Sequence, residues 1–193
     1  MKKYQLTDDI VKVDQIILYR IQALKDFGDI KVGELGGFVQ GTHNLSQSGT
    51  CWIYDNAVVY GEAKVYGNAK VYGNAEVYGY AKVYGNAEVY GYAKVHGNAH
   101  VYGNVYVYGD ADVYWNAEVY GYAKVHGNAH VYGNAKVYGN AKVYGNVYVY
   151  GKSEVFGGAD VYGESKVYEN AKVYGNAEVF GDTQVYGNMK ITG

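Results

Sequence analysis

The sequence predicts an all-β fold: a triangular solenoid of hexapeptide repeats with a small β cap at its N-terminal end. Three observations predict it. From Cys51 to Gly193 the chain repeats every six residues, with the consensus Ala-Lys/Glu-Val-Tyr-Gly-Asn and no insertion or deletion. Within each repeat, Ala and Val alternate with Lys or Glu and Tyr, which is the period of a β-strand with one buried face. The Gly-Asn pair that follows is typical of a tight corner, because both residues tolerate left-handed backbone conformations.

Three repeats, each a four-residue strand and a two-residue corner, close one triangular coil of eighteen residues. Twenty-three complete repeats and a five-residue remainder predict about eight coils, or roughly 38 Å of rod at ~4.8 Å per coil. The repeat phase extends back to Leu45, so residues 45–193 are assigned to the solenoid. Residues 1–44 are assigned to a capping segment, a β-hairpin plus a Gly-rich loop, that covers the first coil.

Composition agrees with this fold class and excludes several functions. The 193 residues include 28 Gly and 26 Tyr but no Pro, which argues against a helical bundle, a doubly wound α/β enzyme and a disordered linker. A formal charge of -2 argues against nucleic acid or an anionic membrane as a partner. One Cys excludes a disulfide framework and a thiolate zinc site. The N-terminal lysines precede no apolar run, so we expect no signal peptide and a cytoplasmic location.

The repeat resembles that of the bacterial transferase hexapeptide proteins, which fold as left-handed parallel β-helices. Their motif places an aliphatic residue inward and a small residue four positions later, as Val65 and Ala69 do here, followed by Val71 and Ala75. The strings GGFV, LSQSG and CWIYDNA between Gly36 and Ala57 resemble the start of the YdcK-like subgroup, which is classed with transferases. The resemblance implies the left hand of the coil. It also implies acyl-CoA-dependent acyl transfer as one function, although the same scaffold serves enzymes and non-enzymes.

The outward tyrosines are predicted to form three columns, one on each face, at steps of ~4.8 Å. Either these ladders stiffen the sheets, or they form a binding face for a protein or a glycan. Trp115, which replaces a corner Gly, is the best single candidate for an interface anchor. The candidate binding surface comprises Tyr78, Tyr84, Tyr90, Tyr102, Tyr108, Tyr114, Tyr120, Tyr132 and Trp115.

His96 and His126 are weak candidates for a general base, the role that a histidine has in hexapeptide acyltransferases. The string NAEVYGYAKVHGNAHVYGN occurs twice, thirty residues apart, so its second copy falls on a different face. A site that needs fixed neighbours would not survive that rotation, which favours histidines as surface variants of the outward positions. His96 and His130 share a face but lie two coils (~10 Å) apart, so we expect no shared metal.

The sequence therefore favours a non-catalytic scaffold that presents Tyr ladders for self-association or for binding a protein or glycan partner. Self-association would give a trimer or an end-to-end assembly through the C-terminal coil, whose exposed strands are an unpaired β edge. We expect no cofactor and no metal. The alternative is an O- or N-acyltransferase that uses acetyl-CoA or another acyl-CoA, which the resemblance implies and the lack of an inserted loop opposes.

Overall fold

The computed structural model describes residues 2–193, which form a β-solenoid of about nine turns. The all-β fold predicted from the repeat is confirmed. Residues 2–193 form no helix, and hence none that is long and apolar enough to cross a membrane.

The N-terminal segment consists of three strands. Strands β1 (Tyr4–Val13) and β2 (Ile16–Ala23) form an antiparallel hairpin, and β3 (Leu35–Val39) pairs antiparallel with β2. The other edge of β3 pairs parallel with Val58 and Val59 of the solenoid. Leu45 forms a parallel bridge to Val65. β3 and the bridge at Leu45 add part of a turn below Cys51, which is why the structure has about nine turns where the repeats alone predict eight.

The remaining strands stack in three parallel sheets, named here faces A, B and C, and the chain visits them in the order B, A, C. Face A contains β5 (Val58–Val59), β8 (Glu76–Val77), β11 (Lys94–Val95), β14 (Asp112–Val113), β17 (His130–Val131), β20 (Tyr148–Val149), β23 (Lys166–Val167) and β26 (Gln184–Val185). Face B contains β4 (Trp52–Ile53), β7 (Lys70–Val71), β10 (Glu88–Val89), β13 (Tyr106–Val107), β16 (Lys124–Gly127), β19 (Lys142–Gly145), β22 (Asp160–Val161) and β25 (Glu178–Val179). Face C contains β6 (Lys64–Val65), β9 (Lys82–Gly85), β12 (His100–Gly103), β15 (Glu118–Gly121), β18 (Lys136–Val137), β21 (Glu154–Val155), β24 (Lys172–Tyr174) and β27 (Lys190–Thr192).

The core is a column of the inward Ala and Val side chains, which are fully buried through most of the rod. Residues eighteen apart are partners in adjacent strands, as Val89 is with Val107. Two serines stand in the inward Ala position, and their hydroxyls donate to backbone carbonyls: Ser153 Oγ to Tyr150 O at 2.9 Å and Ser165 Oγ to Tyr162 O at 2.7 Å. The hydroxyls of both core serines are therefore satisfied within the coil.

The corners depend on the fifth residue of each repeat, which adopts a left-handed backbone. Its φ lies between +63° and +92° wherever it is Gly in the twenty-three complete repeats from Cys51 onward. The three other residues at this position, Asp55, Trp115 and Glu169, have φ of +53°, +58° and +59°. No corner Asn has a positive φ, so the first corner residue alone uses the left-handed conformation that both residues tolerate.

The cap covers the first coil with backbone on two faces and with side chains on the third. Phe38 N donates to Ala57 O at 2.9 Å on face A, and Ser46 N donates to Val65 O at 2.9 Å on face C. On face B, the buried Lys3 donates from Nζ to the carbonyl of Cys51 at 2.8 Å and to its Sγ at 3.2 Å. Burial lowers the pKa of Lys3, and the neighbouring Cys51 opposes that shift.

Candidate functional site

The outward tyrosines form the three predicted ladders, and their rings stack face to face. Apart from the first pair on face B, centroids of successive rings lie 4.5–5.5 Å apart, with interplanar angles of at most 18°. On face C, for example, Tyr120 lies between Tyr102 at 5.1 Å and Tyr138 at 4.8 Å. Because each ring covers the next, a ladder presents ring edges and hydroxyls to solvent rather than ring faces.

Several ladder hydroxyls bond to the outward carboxylate of the next coil, sixteen residues later. Tyr72 Oη donates to Glu88 Oε2 at 2.7 Å, and Tyr138 Oη donates to Glu154 Oε2 at 2.8 Å. Burial, followed by nearby charges, raises the pKa of Tyr102 to about 12, and does the same at Tyr114. The hydroxyls of Tyr102 and Tyr114 are therefore protonated hydrogen-bond donors at neutral pH.

The Lys/Glu columns beside the ladders are largely paired within the same face. Lys94 lies 3.1 Å from Glu76, and Lys172 lies 2.8 Å from Glu154. Three lysine pairs break this alternation, because Lys64, Lys124 and Lys172 are the register partners of Lys82, Lys142 and Lys190. Asp160 and Glu178 form one like-charged acidic pair. These lysine pairs are the local concentrations of positive charge on an otherwise balanced surface.

Four aromatic side chains project from the corners, outside the ladders. Tyr80, Tyr92, Trp115 and Tyr122 are 59–64% exposed, more than any ladder ring, of which the last-coil Phe180 and Tyr186 are the most exposed at 55% and 45%. Trp115 packs edge-on against Tyr114 and Tyr132, with centroid distances of 5.6 and 5.7 Å. The corner rings therefore have the free aromatic faces that the ladder rings lack.

Both candidate general bases lie inside ladders. His96 is stacked between Tyr78 at 4.6 Å and Tyr114 at 5.1 Å. His126 is stacked between Tyr108 at 4.5 Å and Tyr144 at 5.1 Å. Their imidazoles are thus held edge-outward, in the same orientation as the phenol rings they replace.

The structure also places Asp112 between two histidines of face A, a cluster that the sequence reasoning missed. Nε2 of His96 lies 3.0 Å from Asp112 Oδ1, and Nδ1 of His130 lies 3.9 Å from Asp112 Oδ2. The signal was available, because Asp112 follows His96 by sixteen residues, the same offset that joins Tyr72 to Glu88. Within residues 2–193 no three metal-ligating side chains come close enough to hold a metal ion.

The second copy of the histidine string lacks this arrangement. Lys142 follows His126 by sixteen residues, at the offset that Asp112 has from His96. The pKa of His126 is lowered, first by burial and then by Lys124. The two candidate bases therefore have opposite electrostatic surroundings, as expected when one sequence string is rotated onto another face.

No family model matches the chain. A similar protein is the uncharacterized acetyltransferase YdcK of Escherichia coli strain K12, which is 35% identical over 72 residues. That alignment covers 33% of this chain and 22% of the relative, so the chain spans about a fifth of the curated protein it matches. Together with the solenoid, the match confirms the resemblance to hexapeptide-repeat proteins of the YdcK-like subgroup.

Proposed function

We propose that this protein is a non-catalytic binding scaffold, a rod that presents aromatic side chains to a partner. One observation carries the proposal: from Cys51 to Gly193 every coil turns through two-residue corners, with no loop that could enclose a substrate. The free aromatic faces lie on the corners. The scaffold works without a cofactor.

The nine side chains proposed from the sequence as a binding surface contribute in two ways. The eight ladder tyrosines offer rows of hydroxyls and ring edges, which suit hydrogen bonding to a protein or a glycan. Trp115 offers a large, exposed ring, which suits a partner pocket or a second copy of the chain. Self-association as a trimer, or end to end through the C-terminal coil, remains part of the proposal.

A substitution at Trp115 tests this surface without disturbing the coil. Trp115→Gly restores the residue that the repeat has at most corners and removes the strain of a left-handed Trp. We expect the variant to fold and to lose the oligomeric state or captured partner of the wild type, measured by analytical ultracentrifugation and pull-down from the native host. Glu169→Gly is the matched control, since it makes the same repair at a corner that carries no aromatic ring. If Trp115→Gly assembles as the wild type does, Trp115 is not an interface anchor.

The second candidate function is an acyl-CoA-dependent O- or N-acyltransferase. The contact between His96 and Asp112 favours it, because a carboxylate beside an imidazole can orient a general base. The name of the similar E. coli protein favours it too. Calorimetric titration with acetyl-CoA separates the two functions. The scaffold proposal expects no binding, whereas binding or acetyl transfer that His96→Ala or His126→Ala abolishes would overturn it.

A further inference from the structure

A groove beside Tyr122 has the features of a ligand site. It runs along the corner between faces C and B, with a volume of about 500 Å³. This volume is in the usual range of small-molecule sites, ~300–1,000 Å³. The groove is lined by Asn104, Tyr106, Tyr122, Lys124, Asn140 and Lys142.

The groove has an unneutralised positive charge. Lys142 lies 3.2 Å from Asp160, but Lys124 has no carboxylate within 4 Å among residues 2–193. Instead, Lys124 Nζ lies 5.7 Å from the centroid of the Tyr106 ring, and its other neighbour in the column is the like-charged Lys142. Burial and, after it, the charge of Lys124 lower the pKa of His126, and the contribution from Lys124 agrees with a positive potential here. One negative charge bound beside Lys124 would neutralise this excess positive charge.

The groove also has free polar amides, because Tyr122 interrupts a ladder of asparagines. Asn68 Nδ2 donates to Asn86 Oδ1 at 3.1 Å, and Asn86 Nδ2 donates to Asn104 Oδ1 at 3.0 Å. The next position in this column is Tyr122, so Asn104 Nδ2 has no partner among residues 2–193. Asn140, on the other side of Tyr122, makes no side-chain hydrogen bond within the same residues. Both amides are thus available to a ligand.

Tyr122 supplies an aromatic face. Its ring is 62% exposed and stacks on no other ring, in contrast to the ladder tyrosines. A flat ring with free amides beside it suits a sugar, which has an apolar C–H face and hydroxyls at its edge. The groove has no Arg, since Arg20 in the cap is the only one in the chain, and the Arg fork is the preferred partner of phosphate and sulfate.

We propose that the Tyr122 groove binds an acidic saccharide, a uronate whose ring packs on Tyr122 and whose carboxylate lies between Lys124 and Lys142. The amides of Asn104 and Asn140 bond to its hydroxyls. This proposal rests on the proposed function as a binding scaffold and gives that scaffold a ligand class.

The chain contains its own control for this proposal. The tetrapeptide Gly-Tyr-Ala-Lys occurs three times, ending at Lys82, Lys94 and Lys124. At the second copy, Tyr92 is as exposed as Tyr122, but Lys94 is paired with Glu76 and has Asp112 on its other side. Tyr92 thus has the same ring on the same kind of corner without the free positive charge.

The experiment measures binding of trigalacturonate by calorimetric titration, with neutral galactotriose and inorganic phosphate as comparison ligands. The variants are Tyr122→Asn, which restores the repeat residue, and Lys124→Gln. We expect each to weaken trigalacturonate binding about tenfold or more, whereas Tyr92→Asn leaves it within about twofold. Added salt should weaken binding by the wild type, because the carboxylate–lysine attraction is screened.

Four results would overturn the proposal: no trigalacturonate binding, equal affinity for galactotriose, tighter binding of phosphate, or equal loss in Tyr92→Asn and Tyr122→Asn. These failures differ from failure of the scaffold function itself. That function fails if acetyl-CoA binds and His96→Ala or His126→Ala removes the binding, whatever the saccharide does. If neither trigalacturonate nor acetyl-CoA binds, the saccharide assignment is overturned and the scaffold function is not.

Discussion

Removing one ring from a ladder tests whether the tyrosines hold the rod together. Tyr120 is stacked on both sides, with centroids 5.1 Å from Tyr102 and 4.8 Å from Tyr138. Tyr120→Ala removes two aromatic pairs, each worth ~0.5–1.5 kcal/mol. Loss of the ring's buried surface adds ~1 kcal/mol, less than the ~1.5–3 kcal/mol of a fully buried apolar side chain, because Tyr120 is only partly buried. The expected loss in the free energy of unfolding is therefore about 2–4 kcal/mol.

Equilibrium urea unfolding, followed by circular dichroism, measures this loss. Tyr122→Asn is the control, because it removes a tyrosine of the following corner that stacks on nothing, and we expect a change within ~0.5 kcal/mol. Tyr120→His should cost less than Tyr120→Ala, since His96 and His126 already occupy ladder positions with the same stacking distances. A loss below ~0.5 kcal/mol in Tyr120→Ala would refute a structural role for the ladder and leave binding as the reason for its rings.

Three further predictions concern the cap and the pH dependence. Gly37→Ala should destabilise the protein by more than ~2 kcal/mol in the same urea assay, because a Cβ at this position would lie 2.5 Å from the carbonyl oxygen of Ala57. Unchanged stability would mean that the cap does not pack this closely on the first coil. The buried Lys3 has a lowered pKa, so its amine binds fewer protons in the folded state than in the unfolded chain. The stability of the wild type relative to Lys3→Met should therefore rise as the pH rises from 7 towards 10. A stability difference that falls or stays flat over this range would contradict the burial of a cation. The pKa of Tyr102 and Tyr114 is raised to about 12, so the stability they contribute is complete below pH ~10 and is lost as the pH rises to about 12. Thermal melts should follow this loss, and the difference in tyrosinate absorbance between the wild type and Tyr102→Phe or Tyr114→Phe should appear over the same interval. A difference absorbance that appears near pH 10 in the folded rod would contradict the prediction.

The periodic part of the molecule could be predicted from the sequence because its structure is local. A strand of four residues and a corner of two fix which side chains point inward, and the eighteen-residue coil fixes which residues are neighbours on a face. The left-handed backbone at Trp115 and Glu169 shows how strongly the coil imposes its geometry, since neither residue favours it.

The parts that could not be predicted depend on side chains that meet across coils or across the cap. The repeat predicts that residues eighteen apart are neighbours on a face. A long side chain also reaches the residue sixteen positions ahead, which is why the contact of His96 with Asp112 was missed. Lys3 was missed for another reason: nothing in an aperiodic segment says that a lysine will replace a missing strand and bond to the carbonyl of Cys51. The spacing that lets the ladder rings stack could be predicted from the period, whereas interplanar angles of at most 18° could not, since a period does not fix ring orientation.

Because the chain visits the three faces in a fixed order, the rod can change length without changing its surface only in steps of one eighteen-residue coil. Removing or adding eighteen residues would change the number of coils and leave every surface column aligned with the one below. Removing a single repeat, such as residues 123–128, would turn everything above it by one face and place Lys136 rather than His130 above Asp112. Length in such a chain can therefore vary only in whole coils if a surface site is to be kept, whereas a change of one repeat preserves the core and exchanges the surfaces.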